Sequence, residues 1–413
     1  MEQIIETMRI LLVRKLNPFF DSSASGNRFA SLVSGLVSAG AQVSVLVTGG
    51  YNNPEEKELF KKDRTYNGVE CQYLLSTCNH TIWRRRFNRY VLNGYLSGIQ
   101  KNRIKKHMAS YNGDYVWITN DYQVLLSFVE VYSRLRCKSL LEINEFHDIY
   151  KLSGKVTNSL QQKHAKDTAR MFLEAVKHLD CFAVMTETLL EYYRKMARPD
   201  AAFIHLPMTV DMSRFEMLWH SDTGEKYIAF AGSSDNSKDG LNILIESFGK
   251  IHAAHPQYQL KIAGFYHRDV EKQKQIIAEY NIQDKVQYMG VLSRKQIPQF
   301  LVNASVLALA RPDSHQAQGG FPTKLGEYLA TKNPVCVTTT GEIGNYLTDN
   351  ESAFLAVPGS VDSFANALDR AMRDDENAKQ VGLAGYEVAK NIFDKNLQAK
   401  RLYDFLCNNL KKI

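Results

Sequence analysis

Short apolar runs alternate with longer stretches of helical period along the first half of the chain. "RILLV" at 9–13 is followed by a polar loop of small residues, "NPFFDSSASGNR". The helix-period run "FASLVSGLVSAG" comes next, then a second apolar run, "AQVSVLVTGG". Strand, loop, helix and strand in that order make a βαβ unit. Further strands are predicted at "YVWIT" (115–119), "SLLEIN" (139–144) and "CFAVMT" (181–186), with a helix from Gly154 to His178. A second βα series opens after "FIHLPMTVDMSRF" (203–215). Its strands are "YIAFAG", "YQLKIAG", "VQYMG", "SVLALA", "PVCVTT" and "SAFLAVP". Helical runs separate them, among them "GLNILIESFGKIHAAH", "VEKQKQIIAEYN", "RKQIPQFLVNA" and "KLGEYLAT", and "SVDSFANALDRAMRD" follows the last. Strands that alternate with helices predict parallel, doubly wound sheets. The reading is an α/β protein of two Rossmann-like domains, 1–207 and 208–393. A last helix, within 394–413, has no strand after it and is free to cross back to the first domain. Ligands of open parallel sheets bind beyond the carboxyl ends of strands, so the βα loops of both domains are expected to face an interdomain cleft.

Length supports two domains: 413 residues exceed what one core usually organises. A hydrophobic content of 44% with 23% charged residues excludes a disordered chain. The six cysteines are scattered, without a Cys-x-x-Cys pair or a His/Cys ladder, and read as reduced thiols of a cytosolic protein. No apolar run approaches the roughly 20 residues that span a bilayer. The start, "MEQIIETMRILLV", carries acids where a signal peptide wants bases. A cytoplasmic protein is expected.

The net charge of +7 is unevenly placed. Residues 81–109 hold eight Lys and Arg and no acid, including Arg84, Arg85, Arg86 and Arg89 beside Trp83. Phe87, Tyr90, Val91, Tyr95, Leu96 and Ile99 recur there at near-helical spacing. A basic amphipathic helix with aromatics predicts contact with an anionic membrane surface or an anionic acceptor. The alternative is a helix whose apolar stripe is core and whose basic face is solvated. Nucleic acid is not expected, because no recognition fold accompanies the patch.

Two loops of the second domain suit phosphate. In "YIAFAGSSDNSKDGLNILIESF" a strand ends at Gly232, Ser233 begins a polar loop, and Lys238 stands where a helix starts. A helix N-terminus offers unpaired N–H groups and the positive end of a dipole. In "QAQGGFPTKLGEYLA" Gly319 and Gly320 permit close backbone approach, and Pro322 suits a first helical turn. The N–H groups from Gly320 to Lys324, through Phe321 and Thr323, then face an anion. Glu327 lies about one turn further on and can reach a sugar hydroxyl beside it. Lys324 either assists the phosphate or faces solvent. A phosphate flanked by hydroxyls describes a nucleoside diphosphate. Each loop alone is also consistent with a plain glycine turn and solvated side chains.

The order and spacing of these pieces resemble a family 4 retaining glycosyltransferase (glycosyltransferases group 1) of the GT-B fold, from about Met8 to the C-terminus. "TETLLEYY" (186–193), "LPMTVDMSRF" and "GFPTKLGEYLATKNPVCVTTTGEIGNYL" belong to the match, as does the first βαβ segment. The resemblance implies that Lys238 grips the donor diphosphate, that Gly320, Phe321, Pro322 and Thr323 bind it through the backbone, and that Glu327 holds the ribose hydroxyls. It also implies that the loop with Gly26, flanked by Ser25 and Asn27, approaches the diphosphate from the first domain. A histidine close to the donor sugar is best matched by His147 in "EFHDIY", with Glu145 as the substitute if the register slips by two. Two places depart from the family pattern. Ser233 stands where a basic residue often follows the strand glycine, and Gly319 stands where a second glutamate often precedes the ribose-binding one. Arg311, Gln316 and Gln318 are the candidates to fill that second place.

A retaining transferase without a second carboxylate suits front-side displacement, with catalysis from positioning and from stabilising the leaving diphosphate. The chain contains no Asp-x-Asp, so neither a metal nor a cofactor is expected. The expected partners are a nucleotide-sugar donor, UDP-linked, and a glycan or lipid-linked glycan acceptor of cell-surface polysaccharide assembly. The alternatives are a GT-B-type UDP-sugar epimerase, which wants further carboxylates, and a nucleotide-sugar-binding scaffold without catalysis.

Overall fold

The computed structural model describes residues 7–21, 23–78, 83, 97–147, 159–221, 224–232, 236–264 and 269–410. The chain divides into two compact units, Met1–Pro207 with Asn396–Ile413, and Met208–Lys395.

The first unit is built on an eight-stranded sheet in the order β3-β4-β2-β1-β5-β6-β7-β8. Its strands are β1 (Arg9–Arg14), β2 (Gln42–Val47), β3 (Thr65–Tyr66), β4 (Val69–Tyr73), β5 (Tyr115–Ile118), β6 (Lys138–Ile143), β7 (Cys181–Val184) and β8 (Ala202–His205). All neighbours pair parallel except β3 with β4. Side chains alternate across a strand, so each strand feeds two cores. Leu11, Val13, Val116 and Ile118 enter one, while Ile10, Leu12, Tyr115 and Trp117 enter the other. Both faces are covered, which explains why these strands read as continuous apolar runs rather than alternating ones.

Helices α1 (Ala24–Ser38), α2 (Pro54–Lys62), α3 (Gly98–Ser110), α4 (Tyr122–Val131), α5 (Ser159–Val176) and α6 (Glu187–Arg194) connect the strands. Ser23 caps α1 by accepting from the Gly26 N–H, and Asn53 caps α2 from the Glu56 N–H. The patterning did not predict β3, β4, β8, α2, α4 or α6. The strand β4 alternates buried and exposed positions, and β8 is only half buried, so neither carries a continuous apolar run.

The basic stretch 81–109 is described in part. Trp83 is 81% exposed, and Arg84, Arg85, Arg86 and Arg89 lie outside the described residues. In α3 the apolar stripe differs from the expected one: Ile99 is 68% exposed, while Ile104 and Met108 are fully buried. Lys101 and Lys105 pair with Glu130 of α4 at 2.9 and 2.8 Å, and Arg103 donates to the Leu74 carbonyl at 3.0 Å. This half of the basic stretch is therefore engaged within its own unit. Long-range acids such as Glu130 cannot be seen in a count of charges along a segment.

The second unit has a six-stranded sheet, all parallel, in the order β11-β10-β9-β12-β13-β14. Its strands are β9 (Lys226–Ala231), β10 (Tyr258–Ala263), β11 (Val286–Gly290), β12 (Val306–Leu309), β13 (Val335–Thr338) and β14 (Phe354–Ala356). Each lies within a predicted run, one residue of β9 excepted. The helices are α7 (Asn236–Asp239), α8 (Leu241–Ile251), α9 (Val270–Glu279), α10 (Gln296–Val302), α11 (His315–Gly319), α12 (Thr323–Leu329), α13 (Ile343–Tyr346), α14 (Val361–Arg373) and α15 (Asp375–Val388). The helix α15, capped by Asp374, was not predicted. Its sequence "DENAKQVGLAGYEV" is broken by two glycines that serve packing instead. A Cβ at Gly382 would lie 2.4 Å from the Lys332 carbonyl oxygen, and one at Gly385 would lie 2.6 Å from that of Ser352.

The last helix, α16 (Lys395–Leu410), belongs from Asn396 onward with the first unit. Leu402 and Leu406 enter the core that holds Ile10 and Tyr115, and the Tyr115 hydroxyl donates to the Leu406 carbonyl at 2.9 Å. The chain thus returns to the first unit, as its unpaired final helix led one to expect.

Candidate donor site

The second unit collects its polar groups around the carboxyl end of β9. That strand ends at Ala231, whose N–H donates to the buried Tyr328 hydroxyl at 2.8 Å. Because Tyr328 belongs to α12, this bond fixes the glycine-led helix against the strand. Burial pushes the Tyr328 phenol well up from its ordinary range and keeps it a neutral hydrogen-bonding group. Beyond the strand, Gly240 joins α7 to α8 in the left-handed region, with φ +68°. A Cβ there would lie 1.7 Å from the Ala310 carbonyl oxygen, so only glycine lets this junction close on the end of β12.

The loop after β12 is built from its own side chains. Ser314 caps α11 by accepting from the Ala317 N–H at 3.2 Å. Arg311, 3% exposed, donates to the carbonyls of Ala317 at 3.1 Å and Gly320 at 3.5 Å. Arg311 is therefore an internal brace of the glycine loop rather than the replacement for a missing donor-sugar contact. Gln318 binds Asp313 at 2.7 Å. Phe321 is buried against Tyr346 and Phe393. The Gly320 N–H is bonded to the Gln316 carbonyl at 3.2 Å, which removes it from the expected row of anion-facing donors. Among the described residues, the N–H groups of Phe321, Thr323 and Lys324 have no partner.

Lys324 does not face solvent. Its Nζ lies 2.6 Å from Asp239 Oδ2 and 5.0 Å from the centre of the Phe230 ring. Its side chain is 19% exposed and that of Asp239 7%. A Cβ on Gly232 would meet Nζ at 2.2 Å, so the strand-ending glycine makes room for the ammonium group. Lys238 stands beside Asp239 in α7 with an exposed side chain. Ser233 lies outside the described residues. Glu327 is ion-paired through Oε1 with Arg214 Nη1, and Arg214 donates further to the Arg294 carbonyl at 3.3 Å. The Glu327 side chain remains 22% exposed, and Oε2 has no partner among the described residues. That oxygen is available to accept from hydroxyl groups. Asp239 and Arg214 were missed by the sequence reading, which has no means of pairing residues this far apart.

The first unit places its own candidates as follows. Gly26 is buried in the first turn of α1, and its N–H is given to Ser23 Oγ at 3.0 Å. A Cβ there would meet the Asp21 carbonyl oxygen at 2.2 Å, so this glycine serves the close packing of its own loop. Ser25 Oγ accepts from Arg14 at 3.4 Å, and Asn27 Oδ1 is buried without a partner among the described residues. His147 follows β6 as expected. Its Nδ1 lies 3.1 Å from the Asn120 amide nitrogen, and its Nε2 lies 3.2 Å from Asn144 Oδ1. A neutral ring with the proton on Nε2 satisfies both contacts. The His147 N–H donates to the Tyr193 hydroxyl at 3.0 Å, and the ring sits 5.0 Å from that of Phe172. Glu145 is half-buried nearby. Among the described residues no cluster of three His, Cys, Asp or Glu could hold a metal ion.

Behind Gly26 the same helix carries a fully buried ion pair. Arg28 Nε meets Glu142 Oε1 of β6, with both side chains 1% exposed. The other Arg28 nitrogens donate to the carbonyls of Pro207 at 2.8 Å and Leu206 at 2.9 Å. These are the last two residues of the first unit's main segment.

Two sheets, one in each unit and parallel but for β3 against β4, place the protein in the GT-B class of α/β folds. Sucrose-phosphate synthase from Thermosynechococcus elongatus is similar at TM-score 0.73 and 15% identity, over 98% of this chain and 100% of that one. A glycosyltransferase from Rickettsia africae gives 0.70 and 16% identity over 99% and 100%. Anabaena HepE in complex with UDP-glucose gives 0.67 and 13% identity over 98% and 100%. At these identities the likeness is one of fold. No curated protein matches the chain by sequence.

The second unit also resembles a family by sequence. Residues 218–388 match the family described as glycosyl transferases group 1. The loops of β9 and β12 described above lie inside the matched segment.

Proposed function

We propose that this protein is a retaining glycosyltransferase of family 4, within group 1, that moves a sugar from a UDP-linked donor to a glycan or lipid-linked glycan acceptor. The observation that carries the donor assignment is the convergence on α12 of a cation, Lys324, and a carboxylate oxygen, Glu327 Oε2, one helical turn apart. A diphosphate beside the first and ribose hydroxyls beside the second fit the same helix. The match of residues 218–388 to group 1 transferases supports this reading, as do structurally similar proteins that bind UDP and UDP-glucose.

In the proposed reaction the bond from the anomeric carbon to the phosphate oxygen breaks. The acceptor hydroxyl forms its new bond on the same face, and its proton passes to the departing phosphate oxygen. Charge grows on the diphosphate as it leaves, so fixed positive groups near it lower the barrier. Lys238, Lys324 and the N–H groups of Phe321 and Thr323 take that part. His147, with Glu145 two residues before it, is proposed to act close to the donor sugar. Ser233 and Gly26 are proposed as donor contacts on resemblance alone; for Gly26 the contact must come from something other than its committed N–H. The chemistry balances without metal or cofactor, and the protein is proposed to use neither. Action at the cytoplasmic face of a membrane, in polysaccharide assembly, is the proposed setting. Among the described residues no helix is long and apolar enough to cross a bilayer.

A thermal-shift screen over UDP-, GDP- and ADP-sugars tests the reading. A ligand that binds only the native state raises its melting point by mass action. The UDP series should raise it most, and Lys238→Ala and Glu327→Ala should each shrink the rise. A larger shift with GDP-sugars, or none with any donor, would sink the assignment. Binding of UDP-sugar without release of UDP from any acceptor extract would identify a scaffold instead.

A further inference from the structure

Asp239 has no part in the reaction as described, yet it is the best-buried acid at the donor site. A carboxylate beside a diphosphate repels it, so an acid retained there needs a physical reason. Among the described residues its ionic partner is Lys324, at 2.6 Å, and the pair spans 85 residues of sequence. Three further features fix the same ammonium group. Gly232 leaves the space that a Cβ would take at 2.2 Å, and Phe230 presents its ring face at 5.0 Å. Tyr328, one turn along α12, ties the helix bearing Lys324 to the end of β9. A flexible lysine ordinarily loses rotamer freedom when it grips a ligand. Here that freedom is already gone, because the side chain is confined between an acid, an aromatic ring and a glycine.

We propose that Asp239 is a positioning residue that holds Lys324 over Gly232, so that the ammonium group meets the donor diphosphate pre-oriented. The inference rests on the proposed UDP-sugar site. The lysine keeps two hydrogens beyond the one directed at Asp239, and those bind phosphate oxygens. Asp239 thereby offsets its own repulsion by fixing the cation. The two residues act as one unit.

A double-mutant cycle on UDP binding tests this. Near-isosteric changes, Lys324→Gln and Asp239→Asn, keep volume, and thermal unfolding of each variant confirms that the site remains folded. Lys324→Gln should weaken UDP about tenfold, the loss of one charge-assisted contact. Asp239→Asn should weaken it about threefold, although it removes a negative charge. The double variant should match Lys324→Gln alone. In turnover assays both singles should raise the KM for donor and leave the KM for acceptor unchanged, a split that general loosening of the fold does not produce. Tighter UDP binding by Asp239→Asn would overturn the inference, as would effects that multiply in the double variant. Unchanged binding by Lys324→Gln, with wild type binding UDP normally, overturns this inference alone. A wild type that does not bind UDP overturns the functional reading with it.

Discussion

Replacing Arg28 with Met removes a charge from the driest polar site described in the first unit. Both partners of the Arg28–Glu142 pair are 1% exposed, and Glu142 Oε2 already lacks a partner among the described residues. Arg28→Met leaves Glu142 buried without its cation and strips the hydrogen bonds from the carbonyls of Leu206 and Pro207. Breaking a buried pair on one side costs about 3–5 kcal/mol. For a unit of this size, roughly 2–4 °C of melting temperature accompany each kcal/mol, so a fall of roughly 6–20 °C is expected. Differential scanning calorimetry at neutral pH gives the measurement, read on the transition that responds to mutation in this unit. The partner change Glu142→Leu in the same chain removes the stranded carboxylate, and the double variant should regain at least half of the loss. The two orphaned carbonyls account for what is not regained. A fall below about 1 kcal/mol for Arg28→Met, or a double variant no more stable than the single, would refute the argument that charge desolvation dominates this site.

Three other outcomes are expected. Gly240→Ala forces an alanine to φ +68° with its Cβ 1.7 Å from the Ala310 oxygen; chemical denaturation should show a loss of about 2–4 kcal/mol, since strain and overlap add. Burial pushes the Asp211 carboxyl up, but its bonds to Lys395 and Ser213 outweigh that and hold it below the ordinary value of a free aspartate. Its stabilisation is therefore present above pH 3.8 and lost as pH falls through its lowered value, so the deficit of Asp211→Asn, about 1–2 kcal/mol at pH 7, should vanish in urea titrations at the acid end. Arg84/Arg85/Arg86→Ala should reduce recovery on anionic vesicles, while Lys101/Lys105→Ala should not, because those lysines already pair with Glu130; equal recovery of the triple variant and wild type would dismiss the membrane surface.

The fold was legible wherever burial on two faces made strands continuous, as in "YIAFAG" and "SVLALA". It was not legible where a strand alternates at the sheet edge, as β4 does, or where glycines inside a helix serve close packing, as Gly382 and Gly385 do. The start of α12 was legible for a related reason: Gly320, Pro322 and Glu327 sit within eight positions of one another, so the turn and the helix that follows it are local features. Arg214, Asp239 and Glu142 were not, because each finds its partner across 113, 85 and 114 residues. A single sequence holds no record of such pairings.

What these distant partners do changes the chemistry of the near ones. Local reasoning treats Lys324 as a solvated cation or a phosphate ligand, and Glu327 as a free carboxylate. Each is instead half of an ion pair, the lysine with Asp239 and the glutamate with Arg214. An ion pair contributes little net field at a distance, so attraction of an anionic donor cannot come from Lys324 as a bare charge. Its contribution must be directional, through the hydrogens that Asp239 leaves unused, and the same holds for the second oxygen of Glu327. A site of paired groups recognises geometry more than charge. It should therefore lose little affinity with added salt, because a directed contact is screened less than a bare surface charge. The salt dependence of UDP affinity in wild type and Lys324→Gln is the measurement: the slope against ionic strength should be the same in both, and a flatter slope in Lys324→Gln would show that the lysine acts as a bare charge.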